Sequence, residues 1–228
     1  MLPAIVIIIV LVIIFAPRIW VQRVLKRYSE TIEQLPGTGG ELAIHLINQF
    51  ELEGVTVEST NNGNDHYDPI AKKIRLSEDN FNGKSLTAIT VAAHEFGHAL
   101  QHHTQYKPLL MRTRFVQMAA SAEKIASFIL VSLPFTVLLV KVPVFNAILL
   151  LSGLTIMCLP IILHLTTLPV EFDASFNRAL PILDKGKYLP DSAMPVAKKI
   201  LTAAALTYVS TSLASLLNFY RWVAILRR

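Results

Sequence analysis

The chain has 228 residues, of which 53% are apolar and 16% are charged, and its formal net charge is +5. This composition is too apolar for an ordinary soluble domain. No nucleic-acid-binding motif accompanies the positive charge, which instead suits contact with the anionic headgroups of a lipid bilayer. Cys158 is the single cysteine, so a disulfide framework is excluded.

Four apolar stretches follow one another along the chain and predict about four transmembrane helices, since a span needs about 20 mostly apolar residues. They are an N-terminal anchor at 1–22, two helices within 125–170 and a C-terminal helix at 201–228. Two further segments, 23–124 and 171–200, are polar enough to lie outside the bilayer. The sequence therefore predicts a mainly α-helical, multi-pass protein of the cell membrane.

The first apolar stretch is followed, and not preceded, by basic residues such as Arg18, Arg23 and Lys26. This charge order is typical of an uncleaved anchor with its N-terminus outside, and it disfavours a cleaved signal peptide. The positive-inside rule then places 22–124 and 171–200 together on the cytoplasmic side of the membrane.

The segment between the first two stretches has the pattern of a small α+β unit. Apolar residues recur with helical spacing from Glu41 to Gly54, and Gly54 suits the position just after a helix. Short runs at 55–58 and 66–76 then predict two or three strands, separated by turn-forming residues.

The next element is a proline-free helix that carries the motif His94-Glu95-Phe96-Gly97-His98. Because His94 and His98 are four residues apart, both imidazoles leave the same face of the helix and can bind one Zn²⁺. Glu95 lies beside that face, where it can act on a water molecule as general base. The alternative is a helix that carries two solvated histidines.

Ser85 and Gly97 support the prediction that the motif lies on a packed helix. Ser85 follows a turn-like tripeptide and is the predicted N-cap of the helix. Gly97 weakens a helix by about 1 kcal/mol relative to alanine, so its position in mid-helix predicts a close approach by another element.

A catalytic zinc site needs a third protein ligand and an open coordination position. The metzincin class is excluded, because Gln101 and Thr104 stand where that class has Gly and His. Proteases that place the motif inside the bilayer add an Asp-Gly pair, which this chain lacks. The remaining arrangement takes a Glu from a later helix.

Glu123 and Glu171 are the candidates for that ligand. Glu171 is favoured because its apolar neighbours make an unpartnered carboxylate costly; the alternative is a carboxylate in water at a membrane boundary. Asp173 is a candidate acceptor for the N–H of a ligand imidazole.

Over nearly its whole length the chain resembles the YugP-type membrane-embedded zinc metallopeptidases of bacteria. The resemblance lies in the N-terminal anchor and in five blocks, which are His66–Pro69, Ile74–Ser77, Val91–Gln101, Leu168–Ser175 and Leu201–Tyr208. It implies peptidase activity and a metal-ligand role for Glu171. More distant membrane gluzincins have an Asp four residues after that Glu, where this chain has Ser175.

The sequence thus predicts a membrane-embedded zinc metalloendopeptidase, gluzincin-like, with a zincin-like catalytic unit. His94, His98 and Glu171 hold Zn²⁺, and Glu95 takes the proton from the attacking water. The expected partners are a peptide or protein substrate and the lipid bilayer, with no nucleic acid, while the oligomeric state is left open. The alternative is a non-catalytic scaffold or chaperone that keeps zinc for structure, against which the intact Glu95 argues.

Other side chains are candidates for supporting roles. His164, inside an apolar stretch, is either a functional residue or a neutral histidine bonded to a neighbouring helix. His66 and Tyr67 are candidates for stabilising negative charge on the substrate if their strand borders the metal. His102 and His103 are expected to be solvated.

Overall fold

The computed structural model describes residues 2–61, 64–140, 142–157 and 167–207. Its elements up to residue 157 are α1 (Leu2–Arg27), α2 (Gly39–Gln49), β1 (Thr56–Thr60), β2 (His66–Asp68), β3 (Lys73–Ser77), the one-turn helix α3 (Glu78–Phe81), α4 (Leu86–His103), α5 (Lys107–Leu139) and α6 (Pro143–Met157). A continuous helix at 167–185, named α7, contains a π-helical segment at Asp173–Ala179. After a 3₁₀ turn at Asp191–Ala193, helix α8 occupies 194–207.

The prediction of about four transmembrane helices is wrong. Within the described ranges, every helix is either too short or too polar to cross a membrane. In α5, charged residues such as Arg112 and Arg114 interrupt the first half of the helix. The predictions of a multi-pass protein and of a cytoplasmic position for 22–124 and 171–200 both depended on these spans. Neither prediction therefore has support.

Some predictions fall on parts of the chain that the structure does not describe. Residues 158–166, which include His164, and residues 208–228, which make up most of the fourth predicted helix, lie outside the described ranges. The predicted domain boundaries stay a prediction, although α5 runs without a break across the one placed after residue 124.

The small α+β unit is confirmed, and its first helix begins at a capping box. The Thr38 side chain accepts a hydrogen bond from the Glu41 N–H, and the Glu41 carboxylate accepts one from the Thr38 N–H. The helix is shorter than predicted, because Glu51 takes a φ of 52° and so leaves the helical region. Gly54 has a φ of 75°, which suits glycine at the turn into β1.

The three strands form one sheet in the order β1-β3-β2. The central strand β3 pairs in parallel with β1 and antiparallel with β2, so β2 forms one edge. Alternation along β3 buries Ile74 and Leu76 completely, and they join Phe96 of α4 in the hydrophobic core. The sheet therefore holds α4 on one side.

Helix α4 begins where the sequence predicts, because the Ser85 hydroxyl accepts a hydrogen bond from the Ala88 N–H at 3.0 Å. Its motif residues are all buried, and α7 packs against it through its π-helical segment. The close approach by another element that was predicted at Gly97 is confirmed, since the backbone of Ala174 occupies the space beside it.

Candidate metal centre

The structure brings together three side chains that the sequence proposes as ligands. His94 and His98 face out of α4 toward Glu171 of α7, and one potential ligand atom of each lies within 4.8 Å of the others. The Oε2 atom of Glu171 is 3.3 Å from Nε2 of His94 and 3.2 Å from Nε2 of His98. All three side chains are buried. Although burial opposes ionisation, His98 and His94 hold the pKa of Glu171 well below its usual range.

The irregular part of α7 lies next to Glu171. Residues two apart on a regular helix do not share a face, yet Asp173 and Ser175 both reach side chains of α4. They lie in the π-helical segment, a distortion that is frequent at functional sites. Glu171 and this segment therefore supply both a candidate ligand and the groups around it.

Gln101 determines which nitrogen of His98 faces the centre. Its amide nitrogen donates to the carbonyl oxygen of Val170 and to Oδ2 of Asp173, both at 2.8 Å. Because both partners are acceptors, the amide oxygen must accept from Nδ1 of His98, at 3.0 Å. When the His98 ring is neutral, as metal binding requires, Nε2 then carries no proton and presents its lone pair to the centre.

Asp173 reinforces the orientation of Gln101 that the Val170 carbonyl already favours. Burial opposes ionisation of this carboxyl, but hydrogen bonds from Arg178, Gln101 and Asn177 hold the pKa of Asp173 below its ordinary value. Asp173 thus supports the imidazole of His98, a candidate ligand, through Gln101, whereas the sequence suggested direct contact.

Ser175 plays the corresponding part for His94. Its hydroxyl lies 3.0 Å from Nδ1 of His94 and donates to the carbonyl oxygen of Leu201 at 3.4 Å. A hydroxyl that donates to a carbonyl can accept from the Nδ1–H of His94, which leaves Nε2 without a proton. Two imidazole lone pairs and one carboxylate oxygen therefore converge, and this donor set fits a zinc ion that keeps an open position.

Glu95 lies in the same cavity, which has a volume of about 740 Å³. Burial raises the pKa of Glu95 to about 7, against the lowering effects of His94 and of a hydrogen bond from the backbone N–H of Tyr67. This bond places β2 at the border of the cavity, as the sequence suggested. A carboxylate that is buried in this way can exchange a proton near neutral pH.

Arg112 is a residue of the centre that sequence reasoning missed. Its Nη1 donates to Oε1 of Glu171 at 3.2 Å. In the sequence it counted only as one of many basic residues near a predicted span. Its place in the second turn of α5, the helix that follows the motif helix, is a local signal but does not identify its partner. Gln101 and Ser175 were missed as contacts of the two histidines for the same reason.

The remaining candidates lie around the cavity with other partners. The Tyr67 hydroxyl is 2.8 Å from Nδ1 of His102, and burial raises the pKa of Tyr67 to about 12. His66 is exposed, and its Nδ1 lies 3.0 Å from the carbonyl oxygen of Asn64. The prediction that His102 is solvated is wrong, because it is half-buried against Tyr67. The side chain of Glu123 is outside the described part of the structure.

The fold and the cluster define a buried site of two histidines and a glutamate on a helix that packs against a small sheet. The chain belongs to the family described as "Putative neutral zinc metallopeptidase", whose model matches residues 3–227. It is 35% identical over 208 residues to the "Putative membrane protease YugP" of Bacillus subtilis (strain 168), an alignment that covers 88% of this chain and 85% of the relative. No solved structure matches the chain.

These findings confirm the resemblance seen in the sequence. They also bear out zinc as the cofactor, because a zinc peptidase family and a buried cluster able to bind a metal ion agree. A protease family further implies a peptide or protein substrate.

Proposed function

We propose that the protein is a zinc-dependent metalloendopeptidase of the gluzincin type. In this proposal His94, His98 and Glu171 hold the metal, and Glu95 is the general base. The observation that carries it is the convergence of two imidazole Nε2 atoms on Oε2 of Glu171, in a cavity that also contains Glu95. A structural zinc site has no use for that fourth group.

When bound, zinc would polarise a water molecule and the scissile carbonyl. The Glu95 carboxylate takes the proton as the water oxygen forms its bond to the carbonyl carbon. It then gives that proton to the nitrogen as the C–N bond breaks. Without metal the pKa of Glu95 is about 7, and the hydrogen bond from the Tyr67 backbone holds the carboxylate in place.

Strand β2 supports binding of an extended peptide. It is at the edge of the sheet and contributes His66 and Tyr67 to the lining of the cavity. An extended substrate that pairs with this edge would lie beside the metal cluster, since strand addition provides backbone hydrogen bonds for many sequences. This mode fits a peptidase that acts on unfolded segments.

We also propose that the protein associates with a lipid surface, as the name of its relative states for that protein. Helices α5 and α6 expose large apolar side chains, among them Phe128 at 76%, Leu139 at 79% and Val144 at 69%. Apolar side chains exposed in this number are typical of a surface that contacts lipid or another protein. Flotation of the purified protein with liposomes tests this part of the proposal.

The substitution Glu95→Gln tests the enzymatic part. The amide keeps the shape of the side chain but accepts no proton, so zinc content should be unchanged while cleavage falls by about 10²–10⁴-fold or more. The assay is cleavage of unstructured peptides by zinc-loaded protein, with Glu78→Gln as control, since Glu78 is exposed on α3. A fully zinc-loaded wild type that cleaves no member of a broad peptide library would favour the non-catalytic scaffold.

A further inference from the structure

The two carboxylate oxygens of Glu171 have different partners. Oε2 faces the Nε2 atoms of His94 and His98, while Oε1 accepts a hydrogen bond from Nη1 of Arg112 at 3.2 Å. The guanidinium of Arg112 is therefore held at the edge of the ligand cluster by a residue that belongs to it. Its side chain is 19% exposed, so its charge is only partly screened by water.

Arg112 also differs in charge from the rest of the cavity wall. Among the described residues that line this cavity it is the only lysine or arginine, and three carboxylates, Asp65, Glu95 and Glu171, line the same space. A substrate that enters the cavity thus meets a single permanent positive charge from a side chain, placed next to the candidate ligands.

Negative charge must develop in this cavity if the proposed function holds. As the water oxygen bonds to the carbonyl carbon, the π electron pair of the carbonyl moves onto its oxygen, and it returns when the C–N bond breaks. Donors that are already oriented toward such an oxygen stabilise it without reorganisation. Tyr67 and His66 line the same cavity and are bonded to His102 and Asn64, but neither side chain carries the permanent charge of a guanidinium.

We infer that Arg112 is a catalytic residue that donates to the carbonyl oxygen of the scissile peptide bond and stabilises the charge formed there. The inference rests on the proposed peptidase function. A guanidinium suits this task because it stays charged at any working pH and offers several N–H groups in one plane. Its contact with Oε1 of Glu171 holds that plane in position.

The test measures binding, which does not depend on turnover. The probe is a phosphinic peptide, acetyl-Ala-Phe-Leu-Ala-amide with a phosphinate in place of the central peptide bond, whose tetrahedral anion imitates the charged state. The comparison compound is the ketomethylene analogue, which has the same side chains but keeps a neutral carbonyl. Arg112→Met and Arg112→Lys are compared with Arg114→Met, an exposed position on the same helix.

In zinc-loaded Arg112→Met, affinity for the phosphinic peptide should fall by about 10²–10³-fold, as expected when a donor to an oxyanion is lost. Affinity for the ketomethylene analogue should fall by less than about tenfold, because the carbonyl is not charged. Arg112→Lys should recover part of the loss, and Arg114→Met should bind like the wild type.

Three results would overturn the inference. The first is that Arg112→Met binds the phosphinic peptide as tightly as the wild type. The second is that its zinc affinity falls as much as its phosphinate affinity, which would make Arg112 only a support for Glu171. The third is that the wild type binds neither analogue. A wild type that shows the predicted binding difference but cleaves no peptide contradicts the proposed function alone, so the two failures are distinguishable. If Arg112→Met does not fold, Arg112→Lys replaces it, with a smaller expected loss of phosphinate affinity and no loss for the ketomethylene analogue.

Discussion

Gly97 of α4 lies against the backbone of Ala174 in α7, and an ideal Cβ atom at Gly97 would be only 2.7 Å from the Ala174 carbonyl oxygen. Candidate ligands lie close to both residues, with His94 and His98 on α4 and Glu171 on α7. The absent side chain therefore sets the distance between the two helices, and with it the distance between the imidazoles and the carboxylate.

Gly97→Ala should destabilise the protein and weaken zinc binding. At an unconstrained helix position the same change stabilises by about 1 kcal/mol. A loss of stability would therefore indicate the close contact between Gly97 and Ala174. Here the new methyl group would push against a carbonyl oxygen of α7 and move Glu171 away from the histidines. Denaturant unfolding of the metal-free protein and zinc titration measure the two effects. A gain in stability would show that the helices are not in close contact.

Gln101→Leu should lower zinc affinity by about 10- to 100-fold, the usual effect of losing a partner that orients a ligand imidazole. The leucine has a similar size but leaves Nδ1 of His98 without its acceptor. A matched control is Gln49→Leu, since Gln49 is exposed and its side chain bonds to Tyr188. Competition with a chromophoric chelator gives the zinc affinity. Equal affinities for the two variants would exclude the role assigned to Gln101.

Glu171→Ala should abolish stoichiometric zinc binding, whereas Glu123→Ala should retain one zinc per chain. Glu171 is the carboxylate found with His94 and His98 among the described residues. Zinc should also raise the unfolding temperature of the wild type and of Glu123→Ala, because a ligand that binds only the native state stabilises it. Metal analysis measures the zinc content of each variant. Thermal unfolding with and without a chelator measures the stabilisation by zinc. Full zinc content in Glu171→Ala would move the third ligand elsewhere.

Glu95→Gln should make the metal-free protein more stable at pH 8. Burial raises the pKa of Glu95 from 4.5 to about 7, so above pH 4.5 the unfolded chain releases this proton first and rising pH favours unfolding. The penalty grows from about pH 4.5 to about pH 7 and is then constant, on the order of 3 kcal/mol. The amide has no such penalty. Urea unfolding at pH 4 and pH 8 should show the gain only at the higher pH.

The pH dependence of cleavage should show an acidic limb that belongs to Glu95. The base acts only when deprotonated, so kcat/KM should fall about tenfold per pH unit below its pKa. That pKa is about 7 without metal, and a bound cation lowers it, so the limb should lie at or below pH 7. Steady-state kinetics from pH 4.5 to 9 test this. A rate that stays level throughout that range would remove Glu95 from the proton transfer.

Short-range chemistry allowed much of the α+β unit to be predicted. The Ser85 cap and the four-residue spacing of His94 and His98 act within one or two turns of α4, whatever the rest of the chain does. The turns and strands before α4 follow from equally local patterns. Glu171 was proposed by exclusion of other classes of site, and the structure places it beside the histidines.

The membrane prediction failed because it treated composition as if it were helix geometry. The first and second predicted spans borrowed residues from their flanks, and in α1 and α5 those flanks carry charged residues. In α5 the flank includes Arg112, which bonds to Glu171. Among the described residues, no helix is both long enough and apolar enough to cross a bilayer.

The sequence by itself determined the elements and the face of α4 from which the two histidines emerge. Only the tertiary structure decided which distant groups meet that face, since periodicity specifies a face but not its partner. Glu171 is 73 residues from His98, and Arg112 is 59 residues from Glu171. These pairs exist because α7 packs closely against Gly97, and that packing depends on the whole fold.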